Sequence, residues 1–185
     1  MTPPHETNLG SNAETYGQDF YAWCFATAAL VHEGRWDAID QEALIEELES
    51  LGRSQKRELE NRLDVLVMHL LKWQAQPQLH LTSPSWASTI REQRRQIRRL
   101  LRDSPSLGRQ VPMILADIYP DAREDAIQEM GTLGPLMPHP SDIINTFRWK
   151  FPDRGELLRR SLLPVTCPWT AAQVLDKDFW PGESP

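Results

Sequence analysis

From Leu44 to Trp73 the apolar side chains return to one side of an ideal helix, and they do so straight through Gly52. Each helical residue turns about 100°, so residues separated by five full turns, such as Leu48 and Leu66, point the same way. Leu59, Leu63, Leu70 and Trp73 all fall within about 60° of Leu66 on an ideal wheel. Upstream, Leu44 and Ile45 fall within the same arc. A chain that broke at the glycine would be under no pressure to keep that phase. A mid-helix glycine costs only roughly 1 kcal/mol against alanine, which a buried face of this length offsets. The spacing predicts one helix over about 41–74, roughly 50 Å long.

The other segments are shorter. Residues 1–14 are polar with two prolines and read as a flexible N-terminal tail. Phe20, Trp23, Thr27, Leu30 and Val31 recur at helical spacing within Tyr16 to Glu33, with Gly34 placed as the cap and Asp37 or Asp40 able to open the long helix. Trp86, Ile90, Ile97, Leu100 and Leu101 mark another helix opened by Ser85. Ser104-Pro105 restarts the chain into Val111, Ile114, Leu115, Ile118 and Tyr119, where Pro112 and Pro120 are placed to shorten or kink the element. A further helix is expected from Ala122 to Met130. Residues 131–163 form a proline- and glycine-rich connector followed by short helices at Ile143–Trp149 and Glu156–Leu163, and they read as an insertion. Thr170 caps Ala171 to Leu175 within a C-terminal wrap over 164–185, in which Trp180 is expected to pin the chain end. No run of alternating β-branched residues suggests a strand. The expected class is all-α: residues 15–185 as a single helical domain, a bundle around one long central helix.

A length of 185 residues suits one domain with a real core. A formal net charge of −6 argues against general affinity for nucleic acid or anionic membrane. No apolar run approaches the roughly 20 residues that span a bilayer, and the start lacks a basic-then-apolar signal. The two cysteines, Cys24 and Cys167, form no metal or redox spacing. A soluble cytoplasmic protein without membrane contact is the expectation.

The wording DFYAW (19–23), GRWDAID (34–40), LIEELESLGRSQKREL (44–59), HLLKWQAQP (69–77), SPSL (104–107) and CPWTAAQVLDKDFWP (167–181) resembles the bacterial family catalogued as domain of unknown function 29. The motifs follow the family's order over nearly the whole chain. The resemblance implies an all-helical fold and carries over no activity, cofactor or catalytic residue. Members pass quickly from the counterpart of Met130 to the CPWT segment, whereas roughly 30 residues, 134–163, intervene here.

Chemistry must then be sought residue by residue. Glycine-rich phosphate cradles, a G-x-S-x-G elbow and an H-E-x-x-H pair are all missing. Gln55, Arg62 and His69 recur every seven residues along the border of the apolar stripe, and Glu58 stands four before Arg62, the favourable order for an acid–base pair. The four are expected to form a mostly buried, mutually supporting polar edge. As a site, this edge would hold a small ligand or substrate, with His69 carrying a proton. The blander reading, which we favour, is a polar flank satisfied by neighbouring helices. Glu46, Glu47 and Glu49 could suggest carboxylate metal ligands, but no Glu-x-x-His pair accompanies them, so neither a metal nor another cofactor is expected. REQRRQIRRLLR, residues 91–102, holds six arginines. With Ile97 at zero, Arg91, Arg95, Arg98 and Arg102 fall between about 100° and 160°, opposite the apolar face. Such a stripe could bind an acidic protein partner, with nucleic acid the less suitable occupant given the net charge, or simply be solvated. The leading expectation is a non-enzymatic interaction or regulatory module, and a ligand-binding or catalytic edge is the alternative.

Overall fold

The structure, a computed structural model, describes residues 12–80, 84–132 and 160–182. Every regular element among them is helical: α1 (Asn12–Gln18), α2 (Phe20–His32), α3 (Gln41–Ala75), α4 (Pro84–Asp103), α5 (Val111–Thr132) and α6 (Ala171–Leu175), with 3-10 turns at Trp36–Ala38, Pro77–Leu79 and Pro105–Gln110. The expected long helix is α3, which runs unbroken through Gly52. Nothing lies within 4 Å of the position a Cβ would take at Gly52. Gly52→Ala should therefore stabilise the protein by up to about 1 kcal/mol. A urea melt that instead showed a clear loss would mean that something packs against the glycine in solution.

Contacts divide the chain into two compact units, Met1–Ser54 and Gln55–Pro185. In the first, the helix expected over residues 16–33 is interrupted at Asp19, whose non-helical backbone and carboxylate, accepting from the Ala22 amide at 2.9 Å, start α2 afresh. Helix α1 begins at Asn12, inside the segment expected to be tail. The reason is the Asn12 side chain. Its oxygen accepts from the Trp23 indole at 3.1 Å and the Asp40 amide at 3.0 Å, while its amide donates to the Thr27 hydroxyl at 2.9 Å. Tyr16 donates to Glu47 at 2.7 Å, and this bond to a carboxylate pushes the phenol up to about 12. Asp40 caps α3 through the Ala43 amide, and Gly34, at φ 71°, takes the left-handed position after α2. The buried apolar set of this unit is small: Trp23, Ile39 and Ala43, beside Thr27. Phe20, Tyr21, Phe25, Val31, Trp36, Ile45, Leu48 and Leu51 are all exposed.

The second unit holds the main core. Leu59, Leu63, Leu66 and Leu70, the downstream half of the stripe, are completely buried, together with Ile90 and Ile97 of α4. Ile114, Tyr119, Ala122, Ala126, Ile127 and Met130 of α5 join them. That burial explains why α5 is one helix where the two prolines suggest division: Pro120 sits inside it. An interior proline costs about 3 kcal/mol, and residues on either side of it all enter the core. The chain beyond the connector is tied to α5. Arg123 donates Nη2 to the carbonyls of Arg160 at 2.7 Å and Leu163 at 3.2 Å, and Nε to that of Pro164 at 3.0 Å. Tyr119 donates its hydroxyl to the same Pro164 carbonyl at 2.7 Å, and Arg160 pairs with Glu124 at 2.7 Å. Thr170 forms a reciprocal capping box with Gln173 at the start of α6. Of the insertion expected over 131–163, residues 133–159 lie outside the described residues, among them the whole of the short helix expected at 143–149 and the start of the one at 156–163; residues 160–162, at the end of the latter, are helical.

Candidate functional site

Helix α4 owes its position to its two faces. Trp86, Ile90 and Ile97 turn into the core, and Arg91, Arg95, Arg98, Arg99 and Arg102 all stand exposed. Arg95, Gln96, Arg98, Arg99 and Arg102 line an open surface depression of about 620 Å³. Among the described residues, the ion pairs on this face are Arg95 with Glu92 at 2.5 Å and Arg102 with Asp103 at 3.2 Å, both between neighbours on the chain. Glu92 also accepts from Gln96 at 2.7 Å. The hydrogen bonds from Arg95 and Gln96 hold its carboxyl below the usual range, and Glu92 in turn raises Arg95. Arg91 lies 5.4 Å from the Trp180 ring. The stripe is thus a row of cations whose compensation is local and partial.

The polar edge of α3 does not converge. Gln55 and Glu58 are exposed, and Arg62 and His69 are half-buried. Glu58 and Arg62 pair at 2.5 Å, and Arg62 reaches Gln93 of α4 at 3.3 Å. The pair is an i, i+4 surface bridge, worth below about 1 kcal/mol. His69 bonds instead to the Val65 carbonyl of its own helix at 2.9 Å. Burial is the main reason its pKa lies below that of an ordinary histidine, with Lys72 adding to the effect and the bond to Val65 opposing it. The expected mostly buried, mutually supporting edge is corrected to one helix-to-helix link, Glu58–Arg62–Gln93, and a separate histidine. That link fits the reading of a polar flank satisfied by a neighbouring helix. Of the acidic trio, Glu47 accepts from Tyr16 and Glu49 pairs with Arg53 at 3.1 Å. Among the described residues no three His, Cys, Asp or Glu side chains are grouped to hold a metal ion.

Sequence reasoning missed a buried polar cluster beneath the stripe. Arg94, only 1% exposed, donates Nε to the Val174 carbonyl at 2.9 Å and lies 5.7 Å from the Trp180 ring. Among the described residues its Nη1 and Nη2, both buried, have no hydrogen-bond partner, and neither has Trp73 Nε1. Burial lowers the Arg94 pKa; Asp176 opposes this and Arg98 adds to it. Trp73 stacks on His80 at 3.6 Å between ring centres and meets Trp180 at 4.6 Å, and His80 Nε2 bonds the Trp73 carbonyl at 2.8 Å. Lys72, likewise buried, pairs with Glu129 and lies 4.9 Å from the centre of the Trp86 ring. The wheel held a signal for Arg94, which falls within about 60° of Ile97 on the same side as Leu101. The four-arginine stripe leaves Arg94 out, and nothing in the sequence reading accounts for a cation on the apolar side.

A family model described as domain of unknown function DUF29 matches residues 15–180. No curated protein and no solved structure matches the chain. No helix among the described residues is long and apolar enough to cross a membrane.

Proposed function

We propose that this chain, which belongs to the domain of unknown function 29 family, is a non-enzymatic interaction module that docks an acidic protein surface on the outer face of α4. One observation carries the reading: Arg91, Arg95, Arg98, Arg99 and Arg102 share the exposed side of a helix whose other side is core, and the last four of them line an open depression. Guanidinium groups suit this role because each presents a planar fork of donors that matches a carboxylate. The acids that neutralise the row, Glu92 and Asp103, are exposed or half-exposed neighbours that an incoming carboxylate can displace at small cost. A net charge of −6 weighs against a long polyanion, since the rest of the surface would repel it. The two free thiols, Cys24 and Cys167, fit a reducing cytoplasmic setting.

The test changes Arg91, Arg95, Arg98 and Arg102 together to Gln. Stability in urea should stay nearly the same, because exposed pairs contribute about 0–1 kcal/mol each. From a nuclease-treated lysate the wild type should retain a set of acidic proteins that the variant does not, and raised salt should release them by screening. An identical set on the variant would refute the docking face. Tight binding of a DNA duplex by the wild type alone would reassign the face to nucleic acid.

A further inference from the structure

We propose that the buried guanidinium of Arg94, together with the Trp73 indole, is a binding site for the carboxylate of a small organic acid. Five buried side-chain nitrogens and oxygens among the described residues have no hydrogen-bond partner. Three of the five are N–H donors in one cluster: Nη1 and Nη2 of Arg94 and Nε1 of Trp73. The other two are oxygens, on Asp64 and Gln76, which an anion does not serve. Folded chains satisfy nearly all of their buried polar groups, so three orphaned donors together indicate a missing acceptor. The Trp180 ring adjoins both residues, its centre 5.7 Å from Arg94 Cζ and 4.6 Å from the centre of the Trp73 ring.

The chemistry of Arg94 selects the ligand. Its Nε is committed to the Val174 carbonyl at 2.9 Å, which anchors the group and leaves the two terminal nitrogens over. Those two present parallel N–H bonds at the spacing of the two oxygens of a carboxylate. Water would satisfy the hydrogen bonds but not the charge, and an uncompensated charge is the costliest group to bury. Neither the Val174 carbonyl nor the Trp180 face is charged, and Asp176 attracts the guanidinium without hydrogen-bonding it while Arg98 repels it. Arg94 is only 1% exposed, which keeps the ligand small, and the two indoles offer an apolar wall to a short tail. The site lies on the inward side of α4 and does not rest on the outer arginines being a docking face.

Isotope-labelled acetate is the probe. Added at neutral pH to the full chain dialysed free of carboxylates, its carboxyl NMR line should broaden, and propionate should compete. Sodium acetate should also raise the melting temperature with the logarithm of its concentration, beyond any effect of sodium chloride at equal ionic strength. Arg94→Met should abolish both effects. Trp73→Phe keeps an aromatic ring, removes the third donor and should weaken acetate about tenfold, the worth of one hydrogen bond to a charged group. A wild type that neither broadens the line nor gains stability overturns the proposal and leaves ordered water as the partner of these donors. So does an acetate response that Arg94→Met retains, or one that chloride or inorganic phosphate reproduces in full. Should Arg94→Met fail to fold, Arg94→Lys decides: it keeps the charge and the stem without the fork, and undiminished binding there overturns the assignment.

Discussion

Arg94→Ala should lower stability by about 3 kcal/mol, whereas Arg94→Met should lower it by less than half as much. The alanine change removes a long stem from a site only 1% exposed, leaves a cavity, and strips the Val174 carbonyl of its donor at 2.9 Å. Methionine loses the same hydrogen bond but refills most of the volume. It also removes a buried charge and two guanidinium nitrogens that have no hydrogen-bond partner among the described residues. Replacing buried ionic groups by apolar ones of similar size is often close to neutral. Urea melts of both variants decide the matter. Equal losses would show that the guanidinium itself, not its bulk, is what the site requires.

Trp73→Ala should cost about 3–5 kcal/mol, in the range for removing a large core aromatic, and should loosen the C-terminal wrap in particular. Trp73 is 8% exposed and serves two neighbours, His80 stacked at 3.6 Å and Trp180 at 4.6 Å. Removing it takes away the surface on which Trp180 rests. Trypsin should then cut after Lys177 much faster than in the wild type, under conditions where α3 is still folded. Trp180→Ala should reproduce the cleavage with a smaller loss of global stability, because Trp180 is only half-buried. If Lys177 stayed protected in both variants, α6 and the Arg94–Val174 bond would be sufficient to hold the segment.

The all-helical class and the extent of α3 were legible because a thirty-residue stripe leaves one geometric solution. Periodicity, however, gives the phase of a face and not what covers it. Ile45 and Leu48 share the stripe with Leu59 and Leu66, yet the first two are more than half exposed and the last two fully buried. Pro120 misled for a related reason: a local penalty was visible, while the core contacts that outweigh it come from residues distant in the chain. The arginine face was legible in outline because a charge row opposite an apolar row has one stable orientation. Arg94 and Lys72 were not, since their burial depends on Trp180, Val174, Trp86 and Glu129. Most of those partners lie tens of residues away, where only the fold brings them near. The same holds for Asn12, a polar residue in an apparent tail whose side-chain bonds reach Trp23, Thr27 and Asp40.

The clamp that Arg123 places on the carbonyls of Arg160, Leu163 and Pro164 has a consequence for how this chain can vary. It fixes the point of re-entry after residues 133–159, independently of what those residues are. The cost of closing a connection between two anchored ends depends only weakly on its length. Doubling its length adds only about 0.6 kcal/mol of closure entropy, so sequence can be gained, lost or replaced there while the helices on either side keep their places.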